Sequence, residues 1–110
     1  MIDSHCHLNF NELAENFHNI INNSKLNNIT SILSINTDPE DFEEHLDLIK
    51  NYNSIYLSYG LHPDKVDTLN QVKLQNFDIA CKNEKVIAIG ETGIDLYHSQ
   101  KHLKEQTQVF

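Results

Sequence analysis

Ile2-Asp3-Ser4-His5-Cys6-His7-Leu8 opens the chain. Two histidines one residue apart, with an aspartate two positions before the first, concentrate metal-binding side chains in a short stretch. Read as a strand, its side chains alternate between faces. Asp3, His5 and His7 then share one face, and Ile2, Ser4, Cys6 and Leu8 the other. Two imidazoles on neighbouring same-face positions reach one divalent ion, because neutral imidazole ligates zinc and similar metals. Standing alone, the pair reads equally well as a surface His-x-His. The rest of the chain decides between the two.

Working outward, Asn9 to Asn23 carries Phe10, Leu13, Ala14, Phe17, Ile20 and Ile21 at the spacing of one helix face. Asn9 with Glu12 resembles a capping box, and Asn22, Asn23 and the Asn27-Asn28 pair mark the end. His18 reads as a helix-surface histidine. Ile29 to Ile35 is a β-branched apolar run and predicts a buried strand. In Asn36-Thr37-Asp38-Pro39, Asp38 suits an N-cap and Pro39 the first helical position. The helix then runs to about Lys50 with Phe42, Leu46 and Ile49 inward and His45 in solvent. Ser54 to Ser58 predicts a third strand, entering Tyr59-Gly60-Leu61-His62-Pro63. Asp67 to Asn83 is a looser helical pattern through Leu69, Val72, Leu74, Phe77, Ala80 and Cys81, with Cys81 a buried small hydrophobe. Val86 to Ile89 predicts a fourth strand, entering Gly90-Glu91-Thr92-Gly93-Ile94-Asp95. A last helix starts near Ser99, with Leu103, Gln106 and Phe110 on one face. No stop signal follows, so the sequence reads as ending in mid-helix.

Strands near Ile2, Ile29, Ser54 and Val86, each followed by a helix, make four β-α units at roughly 30 residues each. Such alternation implies a parallel sheet with helices packed outside it. Eight such units in roughly 250 residues close into a barrel whose active site lies at the strands' C-terminal ends. The polar clusters all fall at those ends: His5 and His7, then His62, then Glu91 and Asp95. Gly60, Gly90 and Gly93 flank them where the chain leaves its strands. This coincidence weighs against a chance His-x-His.

The 110 residues suffice for one small domain, with 39% apolar and 22% charged residues. The sequence leads one to expect neither a membrane span nor a signal peptide. Two cysteines make no disulfide framework. The expected location is cytoplasmic. The net charge is −8, and all eight basic residues are lysine. A basic nucleic-acid-gripping surface is therefore excluded. If the substrate carries phosphate, bound metal ions must supply positive charge locally.

The candidate chemistry follows from these residues. His5 and His7 offer nitrogen ligands. Glu91 offers a carboxylate whose two oxygens can bridge two ions, and paired ions stabilise the attacking and leaving oxygens of phosphate hydrolysis. His62 contacts substrate, supports the site or is structural. Asp95 orients a ligand histidine or caps the next helix. Asp3 neighbours the ligands or orients them from behind. His98 and His102, four apart, read as surface residues.

Ile2-Asp3-Ser4-His5-Cys6-His7-Leu8, Tyr59-Gly60-Leu61-His62-Pro63 and Ala88-Ile89-Gly90-Glu91-Thr92-Gly93-Ile94-Asp95 together resemble the TatD family of metal-dependent deoxyribonucleases in order and spacing. Gln106 and Phe110 also look like part of that family's next helix. The resemblance covers the whole chain. It implies the four N-terminal β-α units of an α/β TIM-barrel hydrolase of the wider amidohydrolase type. It further implies two divalent ions (magnesium, manganese or zinc) and DNA as substrate, often cut from the 3′ end. His5 and His7 match the family's first-metal ligands and Glu91 its bridging carboxylate. His62 matches a motif residue near the site.

Family members are about twice this length. Their second half supplies two more histidines and an aspartate without counterparts in these 110 residues. The sequence therefore reads as truncated at half a barrel, with open sheet edges that invite a second chain or a second copy. Alternative readings are a non-catalytic metal-binding fragment, the remnant of a truncated gene, or another amidohydrolase-type hydrolase.

Overall fold

The structure is a computed structural model that describes residues 1–68, 76–98 and 101–110. Strands β1 (Ile2–Cys6), β2 (Ser31–Ser34), β3 (Ile55–Tyr59) and β4 (Val86–Ile89) form a sheet in the order β1-β2-β3-β4. Every pairing is parallel: Ile2 aligns with Ser31, Leu33 with Tyr56, and Tyr59 with Ile89. Sequential order with right-handed crossovers sets every connecting helix on one face. The product is an α/β half-barrel, as the β-α repeat predicts.

The first predicted helix is broken in two, α1 (Asn11–Ala14) and α2 (Phe17–Leu26). The Asn16 side chain donates to the Glu12 carbonyl at 3.1 Å and so competes with the main chain there. The expected Asn9–Glu12 capping box is absent: Phe10 holds the N-cap position with no side-chain cap bond. Phe17 and Ile21 are buried, whereas Phe10 is half exposed. The helix outruns Asn23 and ends where Asn28 enters the left-handed region at φ 61°. Ile29 N–H bonds Ser24 C=O and Asn28 N–H bonds Lys25 C=O, which is the Schellman closure.

Asp38 caps as read, accepting from Glu40 N–H at 3.0 Å, and Pro39 starts a 3-10 turn, Pro39–Asp41, that continues into α3 (Phe42–Ile49). A second 3-10 turn covers Pro63–Thr68, and α4 spans Phe77–Ala80. Leu69, Val72 and Leu74, read into one helix, lie outside the described residues, as does Ser99. Cys81 is half-buried rather than buried. The last helix, α5 (Leu103–Val109), buries Gln106, while Leu103 and Phe110 are exposed.

The core lies between sheet and helices. Ile55, Leu57 and Tyr59 alternate along β3 onto that side and meet Phe17, Ile21, Phe42 and Ile49. Phe42 and Tyr59 meet edge-to-face at 4.9 Å, within the favourable range for aromatic pairs. On β4, Val86 packs against the core and its opposite-face neighbours Ile87 and Ile89 are exposed. Ile2 is exposed too, although the alternation placed it with the packing residues. Its strand lies at the sheet's edge, where the second neighbour that would cover it is absent from the sheet. Among the described residues, no helix is long and apolar enough to cross a membrane.

Candidate metal centre

The loops leaving the four strands are stitched to each other by backbone hydrogen bonds. Ile35 N–H bonds Cys6 C=O at 2.7 Å, His62 N–H bonds Thr37 C=O at 2.9 Å, and Glu91 N–H bonds Asn36 C=O at 3.1 Å. Side-chain hydroxyls complete the seam: Ser34 Oγ accepts from Leu8 N–H and Ser58 Oγ from Asn36 N–H. Ser34, Asn36, Thr37 and Ser58 are all buried. The short Asn36-Thr37 segment after β2 therefore positions both His62 and Glu91.

Three side chains converge on this rim. One ligand atom from each of His5, His7 and Glu91 lies within 4.8 Å of the other two. Glu91 Oε2 is 3.7 Å from His5 Nε2 and 3.9 Å from His7 Nε2. Those gaps are too long for hydrogen bonds. They are close to the roughly 3.3–3.6 Å that separates two donors on a tetrahedral ion with bonds of 2.0–2.2 Å. His7 Nδ1–H donates to Ile35 C=O at 3.1 Å, which fixes the tautomer and leaves Nε2 with its lone pair toward the cluster. Two imidazoles and one carboxylate suit a borderline divalent cation. The residues present fit such an ion.

Glu91 is held by its neighbours on the chain and across it. Gly90 and Gly93 adopt φ 147° and 146°, which disfavour other residues. Gly60, at the end of β3, lies against this turn: a Cβ there would sit 2.6 Å from Gly90 C and 2.8 Å from Glu91 O. Only a glycine lets the two backbones approach so closely. Gly90 N–H also bonds Tyr59 C=O at 3.0 Å.

His62 stands on the other side of the carboxylate, its Nε2 3.7 Å from Glu91 Oε1. Its Nδ1 is hydrogen-bonded to the Asp64 carboxylate. The two Glu91 oxygens thus face different imidazoles. Asp3 Oδ1 accepts from His5 N–H at 3.1 Å and so pins the strand at the ligand rather than the ligand's ring. Asp95 accepts from Tyr97 N–H at 2.8 Å, from His98 N–H at 3.1 Å and from His98 Nδ1 at 2.5 Å. Asp95 thus closes a turn at Tyr97 and His98 and does not cap the next helix, whose N-cap position is His102. Its carboxyl pKa is lowered chiefly by the His98 side chain, then by the backbone bonds. His98 and His102 point to separate acids, Asp95 and Glu105.

His45 corrects the sequence reading. It is fully buried, not solvated, and its Nε2 is 2.7 Å from Ser34 Oγ. Burial, with a smaller contribution from His7, lowers its pKa to about 4. The signal was present, since position 45 lies on the same helical stripe as Phe42 and Ile49. His18 is on the surface as read, hydrogen-bonded to Tyr52 Oη at 2.8 Å. The Cys6 thiol is pushed up to about 11 by burial and by Asp3. It is a packing residue, not a ligand.

An open cleft of about 970 Å³ runs from His7, His62 and Glu91 past Asn9 and Phe10 to His45 and Glu44.

Comparison with known proteins places this rim in a family. The family model for TatD related DNase matches residues 2–110. An uncharacterized metal-dependent hydrolase of Buchnera aphidicola subsp. Baizongia pistaciae is 37% identical over 115 residues, covering all of this chain and 42% of the relative. The uncharacterized metal-dependent hydrolase YabD of Bacillus subtilis is 30% identical, covering all of this chain and 43% of its own length. The crystal structure of YjjV, a TatD homologue from Escherichia coli K12, superposes with a TM-score of 0.90 at 28% identity. That match covers 99% of this chain and 43% of YjjV. The chain therefore spans less than half the length of the relatives it matches.

Proposed function

The chain belongs to the TatD related DNase family, and on that premise we propose that it carries the first-strand side of a metal-dependent site that hydrolyses DNA phosphodiester bonds. The observation that carries the reading is the convergence of His5 Nε2, His7 Nε2 and Glu91 Oε2, with Glu91 Oε1 turned toward His62. His5 and His7 would hold one ion, and Glu91 would bridge it to a second. Bound there, two divalent ions would supply an activated water and neutralise charge on the phosphate.

The chain's own groups do the positioning. The Ile35 carbonyl accepts from His7 Nδ1 and so aims Nε2 at the cluster. Asp3 pins the backbone of His5, and Asn36 with Gly60 pins that of Glu91. His62, backed by Asp64, stands where it meets substrate or steadies the carboxylate. The net charge of −8 favours metal ions over side chains as the source of positive charge for the phosphate. Two free cysteines agree with a reducing cytoplasm.

Residues 1–110 would form the N-terminal part of a TIM-barrel domain, with Ile87 and Ile89 on the face that the remaining strands cover in a closed barrel. The remaining strands of such a barrel would then complete the site. The test is release of nucleotides from single-stranded DNA with magnesium or manganese, lost in Glu91→Ala. Absence of release with every divalent metal, even with a candidate second half added, would remove the reading for this chain. The one trio that could hold an ion among the described residues, His5, His7 and Glu91, supports a second reading, a metal-binding module without turnover. Calorimetry would then find one metal site per chain and no nucleotide release.

A further inference from the structure

The cleft beside the metal centre carries an aromatic platform with no part in holding metal. Phe10 follows His7 by three residues and its ring stacks on the His7 imidazole, centroids 4.7 Å apart and planes 13° from parallel. Half of Phe10 is nevertheless exposed, and it lines the cleft together with the partly exposed Leu13.

The charges around this platform select the ligand. Glu12, Asp41 and Glu44 line the cleft along with Phe10, and Lys65 is the lysine among all the lining residues. A phosphate chain is repelled from such a wall. A flat, uncharged ring with a hydrogen-bonding edge is not. Aromatic side chains stack any base, because every base has a π-face.

We propose that Phe10 stacks a nucleobase of single-stranded DNA adjacent to the metal centre. The inference rests on the DNA reading above and sharpens it. A base held within a duplex is covered on both faces and cannot lie on Phe10, so the substrate is a single strand or a frayed end.

The test is binding of the full chain to two fluorescein-labelled strands in manganese. One is a phosphorothioate hexathymidylate; the other is the same backbone without bases. One base–aromatic stack corresponds to roughly 5- to 150-fold in affinity. The wild-type chain is expected to bind thymidylate at least about tenfold tighter than the abasic strand. Phe10→Ala should collapse that ratio to near one, and Phe10→Trp should restore it. The ratio is the readout, so a change in metal affinity that weakens both strands alike leaves it unmoved. An unchanged ratio in Phe10→Ala, or no binding of either strand, overturns the platform. Nucleotide release without base-dependent binding removes the platform and keeps the hydrolase. Base-dependent binding lost in Phe10→Ala, without release, does the reverse.

Discussion

Substituting His45 by glutamine keeps a hydrogen-bonding group opposite Ser34 and removes a buried imidazole. Folding takes that imidazole from an ordinary pKa of 6.5 to about 4, because burial disfavours the charged ring and His7 adds to the effect. Between those values the unfolded chain binds a proton at His45 that the folded chain does not. Stability therefore rises with pH across this window, at about 1.36 kcal/mol per pH unit. The contribution is fully present above about pH 6.5 and is lost as pH falls toward 4, roughly 3 kcal/mol in all. For a domain with about 5–15 kcal/mol of total stability that is a large share. The assay is urea unfolding of wild type and His45→Gln near pH 7 and near pH 4. Other groups titrate in both proteins, so the difference between the two pH dependences isolates His45. Wild type should lose about 3 kcal/mol more than the variant on acidification. Parallel pH dependences would refute the reasoning.

Gly60→Ala would drive a Cβ into the Gly90–Glu91 backbone, where contacts of 2.6–2.8 Å await it. Overpacking of that kind costs about 1–3 kcal/mol. Because the displaced segment carries Glu91, affinity for manganese should fall at least about tenfold in a metal titration, with circular dichroism retained. Gln106→Leu would strip the amide that bonds both the N–H of Asp95, at 2.8 Å, and its C=O, at 3.3 Å. The cost should be about 1–3 kcal/mol in urea unfolding, with metal affinity unchanged.

Much of this was legible in the sequence, for identifiable reasons. Val86–Ile89 emerged at its predicted bounds, because a β-branched run closed by glycine has few alternatives. Asp38 and Pro39 cap and start the segment after β2 as read, since capping chemistry is local, but they open a 3-10 turn that leads into α3 rather than α3 itself. The helix after β1 broke because one asparagine side chain bonds a carbonyl four residues back, a choice that helical periodicity does not record. His45 was misplaced because the usual habit of histidine outweighed its position on an apolar stripe. Its partner Ser34 comes from a different element, 11 residues away. The trio His5, His7 and Glu91 was readable because all three fall at strand ends, which a parallel sheet gathers at one rim. The role of Gly60 was not readable, because it depends on the distance between two strands' exits.

The central claim is that His5, His7 and Glu91 hold a divalent ion in the geometry of a hydrolase. Isothermal calorimetry with manganese, comparing wild type with Glu91→Ala, tests it most directly. The account predicts saturable binding by the wild-type chain and an affinity lower by at least about tenfold in the variant. Equal affinities in the two proteins, or no saturable binding in wild type, would contradict it.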